Sequence, residues 1–108
     1  MIYKEKESDI QLAVCEYLEL KGYFFWRNNN IPVYDPTGNR FRAMPRYSLR
    51  GLPDIFVLID GGYLVGLEIK TKTGKMSDYQ KDIQKKFREV GAEYHIIKDV
   101  RDLVDLFV

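Results

Sequence analysis

The stretch from Pro53 to Lys70 constrains this chain more than any other. Asp54 opens an apolar run, Ile55 to Ile59, and Asp60-Gly61-Gly62 reverses the chain. A second run from Tyr63 then ends in Glu68-Ile69-Lys70. If the reversal is a three-residue loop, Ile59 faces Tyr63, and counting back from that pair sets Asp54 directly opposite Glu68. Opposed residues of an antiparallel pair share a face, with Cβ atoms roughly 4.5–5.5 Å apart. Two carboxylates that close repel unless a cation lies between them or they share a proton. Lys70 follows Glu68 by two residues, so strand geometry puts its side chain on the same face.

The loop length decides whether the acids meet. A two-residue loop at Gly61-Gly62 pairs Asp60 with Tyr63 and sends Asp54 to the opposite face, and hairpin statistics slightly favour that shorter loop. In that case Asp54 merely ends a loop, and Glu68 and Lys70 are a solvated strand end. In the three-residue register, acid, acid and amine converge at one end of a hairpin, as metal-assisted hydrolysis requires.

A chain of 108 residues has room for a single domain with one core, spanning 1–108. Its eight Tyr, six Phe and one Trp supply that core and argue against disorder. Cys15 is the only cysteine and His95 the only histidine, which removes a disulfide framework and a zinc cluster. His95 reads as a packed or surface strand residue and Cys15 as core. No apolar run approaches a membrane span and no signal-peptide core opens the chain, so an intracellular, cytoplasmic protein is expected.

The net charge of +1 hides an uneven distribution. Residues 27–53 carry Arg27, Arg40, Arg42, Arg46 and Arg50 against Asp35 alone, so this stretch is +4 and the remainder −3. Arginine suits bidentate phosphate contact and stacking, and Tyr34, Phe41 and Tyr47 are interleaved with these five. The stretch is either a nucleic-acid contact or a solvated loop.

Periodicity orders the elements. Ile10, Ala13, Val14, Tyr17 and Leu18 predict a helix over 5–21, stopped at Gly22. A short strand follows over 23–27. The segment 28–52 is punctuated by Asn28-Asn29-Asn30, Pro32, Asp35-Pro36-Thr37-Gly38 and Pro45; the Asp-Pro-Thr-Gly turn is a candidate hairpin, and so long a loop usually serves a ligand. After the two strands of the hairpin, Ser77 and Gln80 form a capping box for a helix over 77–90, with Tyr79, Ile83, Phe87 and Val90 as its apolar stripe. A strand over 93–97 and a short helix over 100–107 close the chain. The order αβββαβ implies an α/β fold with a central mixed sheet flanked by helices.

Gly51-Leu52-Pro53-Asp54, Glu68-Ile69-Lys70-Thr71, Ser77-x-x-Gln80 and Gly91-Ala92-Glu93-Tyr94 together resemble the VRR-NUC (virus-type replication-repair nuclease) branch of the PD-(D/E)XK nucleases, and Trp26-Arg27-Asn28 is also similar to it. The resemblance runs from Glu7 to Leu106 and is weakest over 29–49. It implies a restriction-endonuclease-like fold and divalent-metal-dependent hydrolysis of DNA. Asp54, Glu68 and the carbonyl of Ile69 would hold Mg²⁺ or Mn²⁺, and Lys70 would stabilise the attacking oxygen or the phosphate. Glu7, on the buried face of the first helix, is a further metal-site candidate; otherwise it flanks a Ser8/Gln11 capping box. Gln80 either contacts the scissile phosphate or only caps its helix. Stand-alone members resemble Holliday junction resolvases, which implies a homodimer acting on four-way DNA junctions, with the first helix or the segment from Leu103 to Val108 as contact surface. The competing readings are a nicking or flap nuclease without junction preference, and a catalytically silent module that binds nucleic acid through its arginines.

Overall fold

A computed structural model describes residues 5–28, 34–38, 40–41 and 46–107. Helix α1 (Glu7–Leu20) leads into strand β1 (Phe24–Arg27), followed by the two-residue strands β2 (Tyr34–Asp35) and β3 (Arg40–Phe41). The central hairpin β4 (Ile55–Ile59) and β5 (Tyr63–Ile69) precedes α2 (Asp78–Glu89), β6 (Glu93–Ile97) and α3 (Asp102–Leu106). The main sheet has the order β1-β4-β5-β6. Its first two pairings are antiparallel and β5-β6 is parallel, with α2 as the crossover. The expected mixed α/β sheet flanked by helices is therefore present.

The hairpin takes the longer loop. Asp60–Gly62 form a tight three-residue turn in which Gly61 and Gly62 have φ of 85° and 80°, a conformation that side chains with a Cβ rarely adopt. Ile59 consequently pairs with Tyr63, and the register runs back through Val57↔Val65 to Ile55↔Leu67. The Asp-Pro-Thr-Gly turn also makes a hairpin, pairing Tyr34 with Phe41 and Asp35 with Arg40.

Alternation then sorts the sheet into two faces. Ile55, Val57, Val65, Leu67, Ile69 and Ile97 pack with Ile10, Val14 and Leu18 of α1 and Leu103 of α3 as the main core. Phe56 and Tyr94 point the other way, where their rings meet Phe87 of α2 at 6.2 and 5.6 Å. Only the middle of the predicted α2 stripe is used: Ile83 is 3% exposed, but Tyr79 and Val90 are 57% and 82% exposed. The middle of this 12-residue helix therefore packs on the sheet, and the apolar side chains at its two ends remain uncovered.

Local chemistry adjusts the helix ends. The carboxylate of Asp9 accepts from the backbone of Lys6 at 3.1 Å, so α1 starts at Glu7 with this cap and not with the Ser8/Gln11 box. The Gln11 side chain instead accepts from Arg27 Nη2 at 3.2 Å. Asp102 Oδ2 accepts from the backbone of Lys98 and Asp99 at 2.9 and 3.2 Å, which delays α3 beyond the expected start at Val100. Leu103 is fully buried and the Phe107 ring packs at a tilt against Tyr23, centroids 4.8 Å apart. The C-terminal segment thus serves its own core more than a free surface.

Gly66 makes room for the loop that precedes β4. Pro53 is fully buried, and a Cβ on Gly66 would run into the Pro53 ring and lie 3.3 Å from Phe87 Cε2. Gly66→Ala should therefore destabilise the fold by about 1–3 kcal/mol, the usual cost of overpacking, measured as a lower urea midpoint with an unchanged slope.

Candidate active site

Asp54 and Glu68 come together as the three-residue loop requires. Asp54 Oδ2 accepts from the backbone N–H of Ile69 at 2.9 Å, which ties the start of β4 to the end of β5. The Asp54 carboxyl lies close enough to Glu68 to raise its pKa. Glu68 is only 4% exposed, and Lys70 Nζ lies 3.6 Å from its Oε2. Among the described residues, Glu68 is the one buried charged side chain.

The loop carrying Asp54 is held from three sides. From β1, the N–H of Asn28 donates to the Asp54 carbonyl at 2.7 Å and Asn28 Nδ2 to the Pro53 carbonyl at 3.5 Å. From β6, the Tyr94 hydroxyl donates to the Gly51 carbonyl at 3.0 Å. Against α2, Gly51 sits so close that a Cβ there would lie 2.6 Å from the Tyr79 backbone. Sequence reasoning assigned no role to Asn28 or Tyr94. The signal was present only as the Trp26-Arg27-Asn28 and Gly91-Ala92-Glu93-Tyr94 motifs, whose contacts to residues 51–54 depend on tertiary folding.

Electrostatics at this corner favour an added positive charge. Burial pushes the Glu68 carboxyl up to about 8, and the charge of Asp54 adds to this. The Lys70 ammonium acts in the opposite direction, while close contact with the Asp54 side chain and the charge of Glu7 raise it further. Burial likewise raises the Tyr94 hydroxyl, helped by Glu68 and Asp54. With both acids ionised, two carboxylates face one ammonium, and a cation would remove the imbalance. Carboxylate oxygens and a backbone carbonyl suit a hard ion such as Mg²⁺ or Mn²⁺, so the donor set fits one. Among the described residues no three Asp, Glu, His or Cys side chains gather closely enough to hold an ion by themselves. The remaining donors would have to come from the Ile69 carbonyl and water. Glu7 is felt electrostatically at Glu68 but does not join the pair.

The other candidates are more dispersed. Gln80 closes the capping box: its Oε1 accepts from the Ser77 N–H at 2.9 Å, and Ser77 Oγ accepts from the Gln80 N–H at 3.2 Å. Arg27 turns to Gln11 on the α1 side of the sheet, away from the acids. Arg50 lies over the Tyr79 ring at 5.4 Å and Arg46 over Tyr47 at 4.9 Å. Arg40 belongs to β3, and Arg42 lies outside the described residues. His95 pairs with Glu93 at 2.9 Å on the edge strand, and Cys15 is half-buried against the core. Among the described residues no helix is long and apolar enough to cross a membrane.

No protein-family model and no curated protein matches the chain in sequence. Among solved structures, a VRR_NUC domain superposes with a TM-score of 0.66 at 20% identity, over 94% of this chain and 97% of the other. The chain has the fold of a VRR_NUC domain. The likeness takes in nearly the whole of both chains. It extends the resemblance seen in the short motifs to the three-dimensional path of the chain.

The raised Glu68 sets a pH dependence for the VRR_NUC-like fold. Because the folded carboxyl holds its proton up to about 8 while a free one releases it near 4.5, the folded state binds the extra proton between those values. Stability is then full at low pH and falls as pH rises through that window. Glu68→Gln should abolish this slope and raise the melting temperature of chelator-treated protein at pH 8.5 by roughly 4–8 °C for each kcal/mol recovered. Thermal melts of both proteins between pH 5 and 9 measure it.

Proposed function

We propose that this chain is a divalent-metal-dependent endonuclease that hydrolyses DNA phosphodiester bonds. The observation that carries the reading is the pairing of Asp54 with the buried Glu68, with Lys70 3.6 Å from Glu68, within the fold of a VRR_NUC domain. Asp54, Glu68 and the Ile69 carbonyl are the groups that would hold Mg²⁺ or Mn²⁺. When bound, such an ion supplies Lewis acidity toward phosphate and lowers the pKa of water. Lys70 stabilises negative charge on the attacking oxygen or the phosphate, an interaction that strengthens as charge develops. Asn28 and Tyr94 keep the Asp54 loop in place from β1 and β6. Glu7 adds negative potential from α1, and Gln80 reaches phosphate only by leaving its cap on Ser77.

We further assign a four-way DNA junction as the preferred substrate and a homodimer as the working form. One acid pair cuts one strand, and symmetric cleavage of two strands calls for two sites related by a two-fold axis. The arginine segment, Arg40, Arg42, Arg46 and Arg50, supplies the cations for the flanking duplex arms, with Arg27 at its margin.

Ala substitution at Asp54, Glu68 or Lys70 should lower cleavage at least 100-fold, of order 3 kcal/mol in the barrier, with DNA binding largely retained. Glu7→Ala should cost less. Junction, flap, duplex and single-stranded substrates, each with Mg²⁺ and Mn²⁺, provide the assay. Wild-type cleavage by Glu68→Ala refutes the assignment, and equal rates on all four substrates refute the junction preference.

Arginine contacts to phosphate also make a measurable salt dependence. Each phosphate contact on duplex DNA contributes about −0.9 to the log–log slope. Replacing Arg42, Arg46 and Arg50 together with Ala should flatten that slope by roughly two to three units, measured by salt titration of binding to a junction and a matched duplex. An unchanged slope would place the DNA contact elsewhere, among Lys70, Lys72, Lys75, Lys81 and Lys85.

A further inference from the structure

The sheet face that carries the two acids is covered by α2 only in part. Register orders that face in rows: Asn28 and Asp54 are adjacent through the 2.7 Å backbone bond, and the next row contains Trp26, Phe56, Gly66 and Tyr94. Phe56 and Tyr94 are buried there, but Trp26 is 41% exposed and Phe24, two residues further along β1, is 66% exposed. Trp26 is braced on both sides, by Phe56 at 5.6 Å and by Phe24 at 5.8 Å. Strand spacing and rise put its Cα roughly 8 Å from that of Asp54.

We propose that Trp26, supported by Phe24 and Phe56, is a stacking platform for one unpaired nucleobase next to the phosphate held at Asp54 and Glu68. This rests on the nuclease reading and sharpens its substrate class to DNA with an unpaired nucleotide beside the scissile bond, as at an opened branch point of a junction. Three features favour a base over a second copy of the chain. The platform lies on the face of the acids and one row from them, within reach of the nucleotide adjoining a bound phosphate. A second copy pressed against Trp26 would obstruct the approach to that corner. On the α2 side of the Asp54 loop, where Gly51 abuts Tyr79, Arg50 lies over the exposed Tyr79 ring, a cation and aromatic plane of the kind that single-strand binders use.

Trp26 is the one tryptophan of the chain, so its fluorescence reports the contact directly. Titration of the full chain in EDTA with a short oligothymidylate should quench it, and an oligomer of the same length lacking bases should not. Binding of a labelled oligothymidylate should weaken roughly tenfold in Trp26→Ala, within the range seen for removal of one stacking aromatic. Trp26→Phe, which keeps a ring against Phe56, should bind within a few-fold of wild type and guards against loss of folding in the alanine variant. Equal quenching by the base-free oligomer, or no quenching by either, overturns the platform. So does a fluorescence change that follows protein concentration without DNA, which would make the face an interface between copies. Cleavage of the same oligothymidylate with Mn²⁺, assayed in parallel, separates the two readings. Cleavage without base-dependent quenching removes the platform and leaves the nuclease standing. Base-dependent quenching without cleavage of any DNA keeps the platform as a binding site and removes the nuclease.

Discussion

A β-sheet presents its side chains with a period of two, so a hairpin that slips by one residue moves every side chain to the other face. Everything chemical in this protein depends on the slip not happening between β4 and β5. Two adjacent glycines at positive φ let three residues turn the chain, which pairs Ile59 with Tyr63. Val57, Val65 and Leu67 then enter the main core, while Glu68 faces the α2 side beside Asp54. A one-residue slip would put Asp54 on the core face and part the carboxyls. The burial of the aliphatic residues and the meeting of the acids are one constraint, and the hydrophobic core enforces it.

That enforcement allows an unfavourable arrangement to persist. A carboxyl that is 4% exposed next to a second carboxyl would relax outward if its backbone were free. Glu68 sits in a central strand paired on both sides, and the Asp54 loop is fastened by Asn28, Tyr94 and the packing of Pro53 over Gly66. Folding energy from the apolar core thus holds two carboxyls side by side, and burial keeps Glu68 protonated up to about 8. Strained electrostatics held on rigid elements commonly mark functional sites, and the acids here have the chemistry to accept a hard cation.

The two faces of the sheet divide the work. One is covered by α1 and α3 and supplies the contiguous aliphatic core. The other carries a short helix, the acid pair and a line of aromatic rings from Phe24 through Trp26 and Phe56 to Phe87 and Tyr94. Its inner rings consolidate α2 on the sheet, and its outer ones remain open beside the acids. Among the described arginines, Arg27 turns back toward α1, whereas Arg46 and Arg50 lie over exposed tyrosines.

Local pattern was enough to determine the element order, the glycine turn, the Ser77/Gln80 cap and the alternation that places Glu68 and Lys70 on one face. These depend on neighbours within a few residues, and the spacing of apolar side chains encodes them. Residues 54 and 68 could also be paired from sequence, but only after choosing a loop length that turn statistics slightly disfavour. The choice was made by burial of β4 and β5 on the core, a tertiary effect. The roles of Asn28 and Tyr94 were not legible, because their hydrogen bonds reach 25 and 43 residues along the chain. Nor was the exposure of Tyr79 and Val90, since a helical stripe does not reveal where the sheet beneath it ends. The sequence by itself specified which groups could do chemistry; tertiary packing decided which of them meet, because burial and distance belong to the folded chain alone.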